Sequence, residues 1–593
     1  MQKATYTPEV KPGHAFREIS QDFAKPAEIF REAIANSLDA YATNIWLRVQ
    51  VVNVKSRDKV VIYLGDDGIG MNAETIKSFL NLSDSSKPAT APVGMVKRRM
   101  TGYKGHGTKV YFNSESVEVL SRIENELPVY CRLNDPRGHL SEGTSPTAEI
   151  EELSIEELLK RRTEWGFAEL KDGQGTIVRV TGYHDNTKKG LEHVLLVDYV
   201  RWFTRWGSWE PKLRIVTNSQ SDEVSDFSRC SLHLRGLAKP SPDTDEKLGF
   251  GHMFPAEDCT DIKKLRGKDD ADPLKHYVRT WAFANEPLAN NPDKTIDFLF
   301  ALEGEGARRE YNEMLRRQGR PRRPGDYLSQ ERYGLWLGRD YVPVQRFNSW
   351  VAEQSEYTRM HAFVNCNNLN LTANRGSVEN TPQELLEDIQ RTVEKLFEQI
   401  QSDNDYVKFL DELLAVERQR HASREVADYK RRLKRLEAKQ YCKIKDIEFL
   451  SPTTESDLIA LVSGVQALIP DILPFVVRDY DSHFGFDGLA TRSKELAIAE
   501  TKHLFVEFKT ELKPDFNHTF EHLEAVICWT SKVKDGTEVV DLGGRKGTYT
   551  ISTNAQGTKS RYIVIPNARQ NVEVILFKEL LESKGFAFKP IGE

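Results

Sequence analysis

The stretch that decides the fold is Glu28–Asn44, EIFREAIANSLDAYATN. Within it, Glu32, Asn36 and Asp39 recur at steps of four and three residues, the spacing that places side chains on one face of an α-helix. Small and apolar residues fill the remaining positions, which predicts a helix suited to burial. A buried carboxylate is costly unless it is paired or has a chemical role. The pattern therefore predicts a helix that carries functional polar groups.

Two glycine-rich segments follow this helix. LGDDGIGM at Leu64–Met71 ends an apolar, strand-like run, and GYKGHGTK at Gly102–Lys109 comes before another. Glycine lets the backbone adopt positive φ and approach a phosphate group closely. A further element, GTIVRVTGY at Gly175–Tyr183, has the composition of a strand. One glycine motif alone is weak, but four motifs in this order are specific.

These four motifs resemble the GHKL ATPases, the group that includes gyrase, the heat-shock chaperone, histidine kinases and MutL. The resemblance implies a Bergerat-type site that binds ATP and Mg²⁺. By motif, Glu32 would activate the attacking water, Asn36 would hold Mg²⁺ between the phosphates, and Asp39 would support the site. The alternative is an amphipathic helix followed by unrelated turns.

The same resemblance implies the residues that contact the nucleotide. Asp66 would accept a hydrogen bond from the adenine amino group, and Thr176 would bind the water on the adenine side. The glycine run at residues 102–107 would close a lid over the phosphates, with Lys104 and Lys109 as possible charge partners. The other implied nucleotide-binding residues are Gly68, Gly70, Met71, Gly105, Gly107 and Thr108.

A second resemblance lies at Leu369–Ile389, LNLTANRGSVENTPQELLEDI. It is similar to the loop that opens a helix in the middle domain of the heat-shock chaperone. The resemblance implies that Arg375 contacts the γ-phosphate in a closed, ATP-bound homodimer. A guanidinium suits this role because it is always charged and offers a planar set of donors. An ordinary surface arginine, or a different basic residue in the role, is the alternative.

The last part of the chain carries a third resemblance. DYDSHFGFDGLAT at Asp479–Thr491, followed by HLFVEFKTEL at His503–Leu512, is similar to the PD-(D/E)xK nuclease superfamily. Alternation along a strand places Glu507 and Lys509 on one face. Phenylalanine stands before Asp487, where the family pattern has proline. The alternative is a noncatalytic α/β domain with a surface ExK sequence.

The nuclease resemblance implies a metal-dependent centre. Asp487 and Glu507 would share Mg²⁺ or Mn²⁺, which prefer oxygen ligands, and Lys509 would assist the attack of water on a phosphate. Glu455 is a possible extra ligand. His518 and His522 fall in the segment where the superfamily often carries a polar helper on a helix.

Composition limits the class of protein. At 593 residues the chain corresponds to roughly three or four domains of about 150 residues. The formal net charge of −6 means that any nucleic-acid contact depends on local patches. Six scattered cysteines without a CxxC pair argue against a zinc site or a disulfide framework. With neither a signal sequence nor an apolar run of about 20 residues, we expect a cytoplasmic protein without a membrane span.

We predict an α/β (α+β) multidomain architecture. Asn72–Met100, rich in Ser, Pro and Ala, is predicted to be a mobile lid, and PKLRIVTN at Pro211–Asn218 is predicted to be a strand. The predicted domains are a Bergerat-type ATP-binding domain at 1–204 with helices on one face of a mixed sheet, an S5-like transducer or middle domain at 205–381, a helical linker that could pair as a coiled coil at 382–444, and a restriction-endonuclease-like α/β domain at 445–593.

Together the resemblances imply an ATP-gated dimeric clamp that acts on DNA and cuts it. Asp67, where mismatch-repair members usually carry asparagine, favours the MORC-like branch of the GHKL group. The arginine-rich segment Met314–Tyr327 could neutralise phosphates, although most such runs are solvated loops. A role in bacterial antiviral defence or repair follows by analogy only. The rival interpretation is a chaperone-like or scaffolding ATPase whose C-terminal domain only binds a partner.

Overall fold

A computed structural model divides the chain into two compact units, Met1–Glu417 and Arg418–Glu593, and the division falls inside a long helix. The residues that the structure describes are 12–54, 56–81, 91–92, 95–100, 107–239, 241, 243–316, 319, 321–352, 356–372, 374–481, 487–492, 502–555, 557–568 and 570–591.

Helices connect and cover the sheets of the first unit. They are α1 (Pro12–Asp22), α2 (Glu28–Asp39), α3 (Thr75–Leu80), α4 (Pro136–Ser141), α5 (Ile155–Glu164), α6 (His193–Phe203), α7 (Glu210–Val216), α8 (Asp222–Phe227), α9 (Ile262–Lys268), α10 (Glu305–Tyr311), α11 (Ser329–Arg332), α12 (Gln383–Gln401) and α13 (Asn404–Glu437), the helix in which the division falls.

An eight-stranded sheet forms the body of the N-terminal part of the chain. Its strands are β1 (Asn44–Val54), β2 (Arg57–Asp66), β3 (Ser116–Arg122), β4 (Val129–Asn134), β5 (Ala148–Glu152), β6 (Gly175–Thr181), β7 (Ser231–Arg235) and β8 (Glu246–Leu248). They lie in the order β5-β4-β3-β6-β2-β1-β7-β8. The pair β1–β7 is parallel and the other pairs are antiparallel.

This sheet extends beyond residue 204, where the first domain was predicted to end. Strand β7 pairs with β1, with Ser231 opposite Asn44, and β8 pairs with β7. Parallel strands need a long crossover connection, so a local sequence pattern does not show that β7 belongs to a sheet begun nearly two hundred residues earlier.

Both faces of the sheet are covered, so the prediction of helices on one face was wrong. Leu47 and Ile62 face the core that includes α2. Their neighbours Trp46 and Tyr63 point to the opposite face, where they join a smaller core containing Leu158 of α5. The prediction missed this second layer because strands that are apolar on both faces lose the alternation that marks a solvent-exposed side.

A five-stranded sheet forms the second part of the first unit. Its strands are β9 (Val278–Pro287), β10 (Thr295–Glu303), β11 (Gly334–Arg339), β12 (Val342–Arg346) and β13 (Met360–Asn365), in the order β12-β11-β13-β10-β9. Helix α12 packs its apolar side against one face through Ile389 and Phe397, which lie in one core with Phe298 and Phe300. The opposite face contributes Leu299 and Phe363 to an aromatic core.

The strand predicted at Pro211–Asn218 is instead helix α7. Its β-branched and apolar residues favour a strand locally. Leu213, in the helix, and Trp209, just before it, are almost fully buried in the aromatic core, and Pro211 occupies the first turn, where a missing N–H costs little. Tertiary packing therefore overrides the local preference.

The second unit contains a three-stranded and an eight-stranded sheet with helices α14 (Glu455–Leu468) and α15 (Phe577–Ser583). The smaller sheet is made of β14 (Gln440–Ile444), β15 (Ile447–Leu450) and β24 (Lys589–Pro590), in the order β15-β14-β24. The strands of the larger sheet are β16 (Val476–Tyr480), β17 (Gly488–Thr491), β18 (His503–Leu512), β19 (Leu523–Ser531), β20 (Glu538–Val540), β21 (Lys546–Thr553), β22 (Lys559–Val564) and β23 (Val572–Leu576).

The centre of the larger sheet positions the acidic residues. Its order is β16-β17-β18-β19-β23-β22-β21-β20, with β18–β19 and β19–β23 parallel and β17–β18 antiparallel. Phe508 and Ile527 point into the core that contains α14 and α15. Glu507 and Lys509, the neighbours of Phe508, therefore face the other way.

Candidate active sites

Helix α2 presents Glu32 and Asn36 on one face. Its apolar residues Ile29, Phe30 and Ile34 are fully buried in the first core, which fixes the rotation of the helix. Glu32 is only 2% exposed, as expected for a carboxylate with a specific environment.

Two guanidinium groups hold the Glu32 carboxylate. Arg31 Nε donates to Oε1 at 3.1 Å, and an Nη of Arg375 lies 3.5 Å from Oε2. Gly107 lies against the same carboxylate, and a Cβ at that position would be 2.3 Å from Oε2. A side chain at this position would therefore displace the Glu32 carboxylate from its present place beside the second glycine segment.

The loop that carries Arg375 docks on the N-terminal helices. Arg31 donates to the carbonyl of Asn374 at 2.5 Å, and the Asn374 amide donates to the carbonyl of Asp22 at 2.9 Å. Arg375 itself adopts a left-handed φ of +51°. This turn brings Arg375 to Glu32 across 343 residues of sequence. Its contact with a γ-phosphate stays a prediction.

The buried amide nitrogen of Asn36 has little hydrogen bonding. Within the described part of the chain, its Nδ2 makes no hydrogen bond of normal geometry, although the amide interacts with the Tyr111 hydroxyl. A poorly satisfied buried donor is costly, so a ligand oxygen is expected near it. The amide therefore fits a nucleotide with its metal ion, since Nδ2 would bind a phosphate oxygen and the amide oxygen would be the ligand to Mg²⁺.

Asp66 lies at the end of β2 and is buried. Its Oδ2 accepts the Ser37 hydroxyl at 2.9 Å and its Oδ1 accepts the backbone N–H of Gly68 at 2.9 Å. Burial raises the pKa of Asp66 to about 6, although these hydrogen bonds oppose the shift. The carboxylate is thus an oriented acceptor at the edge of the first glycine segment.

The neighbouring acid, Asp67, has a structural role. Its carboxylate accepts four hydrogen bonds of 2.7–2.8 Å, from the backbone and side chains of Thr43 and Asn44. These bonds tie the first glycine segment to the start of β1. The residue that favours the MORC-like branch is therefore explained here by local structure.

Gly68 and Gly70 allow the chain to pass close to its neighbours. A Cβ at Gly68 would lie 2.6 Å from the Ala40 carbonyl oxygen. Gly70 has φ of +74°, and a Cβ there would lie 2.0 Å from the Arg122 carbonyl oxygen. At Gly68 there is no room for a side chain. At Gly70 both the lack of room and the positive φ exclude one.

Thr176 and Met71 meet at a serine that sequence reasoning missed. Thr176 lies directly opposite Asp66 in the β2–β6 ladder. The Ser121 hydroxyl is 2.7 Å from Thr176 Oγ1 and accepts the backbone N–H of Met71 at 2.8 Å. Ser121 is in strand β3, outside both glycine segments in the sequence, and its residue type gives no signal there.

Asp39 and Thr108 contact protein groups. Asp39 lies 3.1 Å from a guanidinium nitrogen of Arg205, and both side chains are buried. Thr108 Oγ1 donates to the carbonyl of Phe79 at 2.7 Å, and the fully buried Lys109 ammonium donates to Thr108 Oγ1 at 2.7 Å. These contacts brace the end of α2 and the end of α3.

Part of the predicted lid is anchored. Arg98, which is buried, pairs with Asp226 at 2.7 Å and donates to the carbonyls of Leu38 and Ala42 at the end of α2. Helix α3 occupies the start of the same segment. The described ends of the predicted lid are thus ordered by specific contacts. Gly102, Lys104 and Gly105 lie outside the described residues.

Replacing Asp66 with asparagine is expected to weaken nucleotide binding about 10- to 100-fold, because hydrogen bonds to charged groups contribute about 1.5–3 kcal/mol. Titration calorimetry with ADP measures this. Asp67→Asn is the matched control, since its four bonds belong to the fold, and it should lower stability with little change in affinity. Equal losses of affinity in both variants would move the adenine site elsewhere.

The raised pKa of Asp66 predicts a pH dependence. The folded protein binds this proton more tightly than the unfolded chain, whose aspartate titrates near 3.9, so Asp66 favours folding more as the pH falls from about 7 to about 4. The free energy of unfolding of the wild type, minus that of Asp66→Asn, should rise by up to about 3 kcal/mol over this range. Urea titrations at several pH values test this, and a constant difference would contradict it.

The second unit brings together the acids and the lysine of the C-terminal pattern. The antiparallel β17–β18 pair sets Gly488 opposite Val506, so Asp487 lies beside Glu507. Asp487 Oδ2 accepts the backbone N–H of Phe508 at 2.9 Å. Lys509 Nζ lies 2.6 Å from Glu507 Oε1 and 3.3 Å from a carboxylate oxygen of Glu455.

His518 also reaches this cluster. Its Nε2 lies 3.5 Å from Glu507 Oε1. His518 and His522 lie in an irregular segment between β18 and β19, so the helper helix expected there is not formed. His522 packs its ring near that of Phe505 and makes no ion pair within the described residues.

The electrostatics of the cluster are those of crowded acids. Burial raises the pKa of Asp487 and of the fully buried Glu507. The Glu455 carboxylate raises the pKa of Asp487 further, and Asp487 raises that of Glu507 further, whereas Lys509 lowers both. Burial lowers the pKa of Lys509, but its hydrogen bond to Glu507 outweighs this and the pKa lies above the ordinary value. Lys509 is therefore a charged group held between carboxylates.

The described residues do not form a complete set of metal ligands around the two acids. Glu507 Oε2 is buried and has no hydrogen-bond partner in the described structure. Over the same residues, no group of three or more His, Cys, Asp or Glu side chains is placed to hold a metal ion. Asp487 and Glu507 are thus the two residues that could share one.

Comparison with known proteins supports the N-terminal site. Residues 25–157 match the family model described as histidine kinase-, DNA gyrase B-, and HSP90-like ATPase. This match includes α2 and both glycine segments, and it supports binding and hydrolysis of ATP with Mg²⁺. No curated protein matches the chain. No helix in the described residues has the length and apolar character needed to cross a bilayer.

Proposed function

We propose that this protein is an ATP-driven dimeric clamp that acts on DNA and cuts it at a metal-dependent centre in the second unit. The observation that carries the first part is the buried Glu32 carboxylate, set beside the poorly hydrogen-bonded amide of Asn36 and the second glycine segment. The observation that carries the second part is the Asp487–Glu507–Lys509 cluster.

In the proposed ATPase reaction, the residues of this chain transfer a proton from water and position the nucleotide. Glu32 would accept a proton from the attacking water, and Arg31 keeps this carboxylate in one orientation. Bound Mg²⁺ would neutralise charge on the phosphates. Asp66, fixed by Ser37 and Gly68, would select the base. The buried surroundings exclude water that competes for these hydrogen bonds.

The gating part of the proposal predicts an effect of Arg375→Ala. The arginine already contacts Glu32 from the loop between β13 and α12, so it can sense what occupies the site. Losing a donor to transition-state charge should slow ATP hydrolysis about 10²-fold and weaken the contact between two copies that ATP induces. Sedimentation velocity with no nucleotide, with ADP and with an ATP analogue measures the second effect, because this contact makes the assembly larger or more compact.

Arg346→Ala is the control for this prediction. Arg346 is the last residue of β12, in the five-stranded sheet that precedes the Arg375 loop, and it donates to the carbonyl of Gln330 at the surface. Its replacement should leave turnover and the ATP-dependent change in sedimentation coefficient unchanged. The gating role would be lost if the wild type had the same sedimentation coefficient under all three nucleotide conditions.

The nuclease part rests on the side chains that share one face of β18. Glu507 and Lys509 point away from the core that contains α14 and α15, and β17 places Asp487 beside Glu507. Two carboxylates this close repel each other unless a cation lies between them. A bound Mg²⁺ or Mn²⁺ would supply a Lewis acid for a phosphate oxygen. Lys509 would stabilise the charge that grows on the phosphate.

Supercoiled plasmid and linear DNA separate this proposal from its rival, a chaperone-like or scaffolding ATPase. The protein is incubated with each DNA and Mg²⁺ or Mn²⁺, with and without ATP, and nicking and ATP turnover are both measured. Metal-dependent cleavage with DNA-stimulated turnover is the expected result. ATP turnover that DNA does not change, without cleavage under any condition, would favour the rival.

A further inference from the structure

The C-terminal half of α13 is a long, solvent-exposed helix in the second unit. From Arg418 to Ala438 every residue is exposed apart from the half-buried Asp428. Asp428 pairs with Arg431 and Arg432 on its own helix, which stabilises an exposed helix only slightly. Most helices of this length owe their stability to burial of an apolar face.

This exposed segment nevertheless carries an apolar stripe. Its apolar residues are spaced by four, three, four and three positions, the a and d spacing of a coiled coil. Four of them are large side chains that are between 39% and 62% exposed. In a folded domain such a row of large apolar side chains on a helix is usually buried. The stripe consists of Ala422, Val426, Tyr429, Leu433 and Leu436.

The charges beside the stripe are self-complementary. With Val426 at position a, Glu425 and Arg432 occupy g positions, and Lys430 and Glu437 occupy e positions. In a parallel pair, Glu425 of one copy faces Lys430 of the other, and Arg432 faces Glu437. In an antiparallel pair, Glu425 faces Arg432 and Lys430 faces Glu437. Every pairing joins opposite charges, in either orientation.

We propose that residues 422–437 of α13 form a coiled coil with a second copy of this chain, without any need for nucleotide. A two-fold interface requires a surface that complements itself, and both the stripe and its flanking charges meet this condition. A helix of unrelated sequence would not be expected to complement both the apolar stripe and the flanking charges, whereas a second copy of this helix complements both. This dimer is separate from the ATP-dependent contact proposed above and would keep two copies together between ATP cycles.

The mass of the full chain without nucleotide tests the proposal. Sedimentation of the wild type should give twice the 67.8 kDa of one chain. The variant with Val426→Glu and Leu433→Glu should be monomeric, since both charges fall at a positions. The matched control, His421→Glu with Ala427→Glu, adds the same charge to the outer face of the same exposed segment and should stay dimeric.

A charge-reversal pair adds a test that misfolding cannot imitate. In the variant with Glu425→Lys and Glu437→Lys, every charged residue at an e or g position of 422–437 is basic. In the variant with Lys430→Glu and Arg432→Glu, every such residue is acidic. Each should be monomeric alone, and an equimolar mixture should dimerise. Circular dichroism melts report folding of each variant. A monomeric wild type, a dimeric Val426→Glu, Leu433→Glu variant, or no dimer in the mixture would each overturn the proposal.

Discussion

Glu32→Gln is expected to lower ATP turnover by about 10²–10⁴-fold while the protein still binds ATP. Glutamine keeps the shape of the side chain but cannot accept the proton of the attacking water. The carboxylate is almost fully buried and is oriented by Arg31 and Arg375, so no exposed acid can replace it in the same place. Removing its negative charge should hold or tighten binding of the triphosphate.

Steady-state phosphate release and calorimetric titration with ATP measure the two effects. Glu28→Gln is the matched control, because Glu28 lies one turn earlier on α2, is also buried and lies within 4.0 Å of Arg31. It should lower stability without a comparable loss of turnover. Turnover of Glu32→Gln close to that of the wild type would remove Glu32 from the catalytic role.

Lys509→Ala is expected to lower metal-dependent DNA cleavage by about 10²-fold or more, because one positioned donor to a growing phosphate charge typically contributes that much. The lysine pairs with the fully buried Glu507 at 2.6 Å and with the half-exposed Glu455 at 3.3 Å. ATP turnover in the absence of DNA should not change, since this lysine belongs to the second compact unit.

Nicking of supercoiled plasmid under single-turnover conditions measures this effect. Glu511→Gln is the matched control, because Glu511 lies two residues further along the same face of β18 and pairs only with the exposed Lys532. It should cut DNA at the wild-type rate. Cleavage that survives Lys509→Ala would place the nuclease elsewhere or in a contaminant.

Local geometry explains which parts of both sites could be predicted from the sequence. A helix repeats every 3.6 residues and a strand every two, so the spacing of Glu32 and Asn36, and of Glu507 and Lys509, already places each pair on one face. Gly70 was recognisable because its conformation excludes other residues. These predictions depend on a few consecutive residues and need no knowledge of the fold.

Contacts between distant segments explain what could not be predicted. Ser121 meets Thr176 through a sheet ladder, and Arg98 reaches the end of α2 with an ordinary arginine side chain. Neither residue differs by type from many others in the chain. Only the pairing of strands and the packing of helices give such residues a role.

The sequence by itself thus determined the acidic helix, the glycine turns and the strand that carries Glu507, because local backbone geometry and the absence of a Cβ act over a few residues. Tertiary structure alone decided that Pro211–Val216 is helical, that β7 completes the first sheet, and that Arg375 meets Glu32. In each of these cases the deciding free energy comes from burial or ion pairing between segments far apart in the chain, which outweighs the preference of the local sequence.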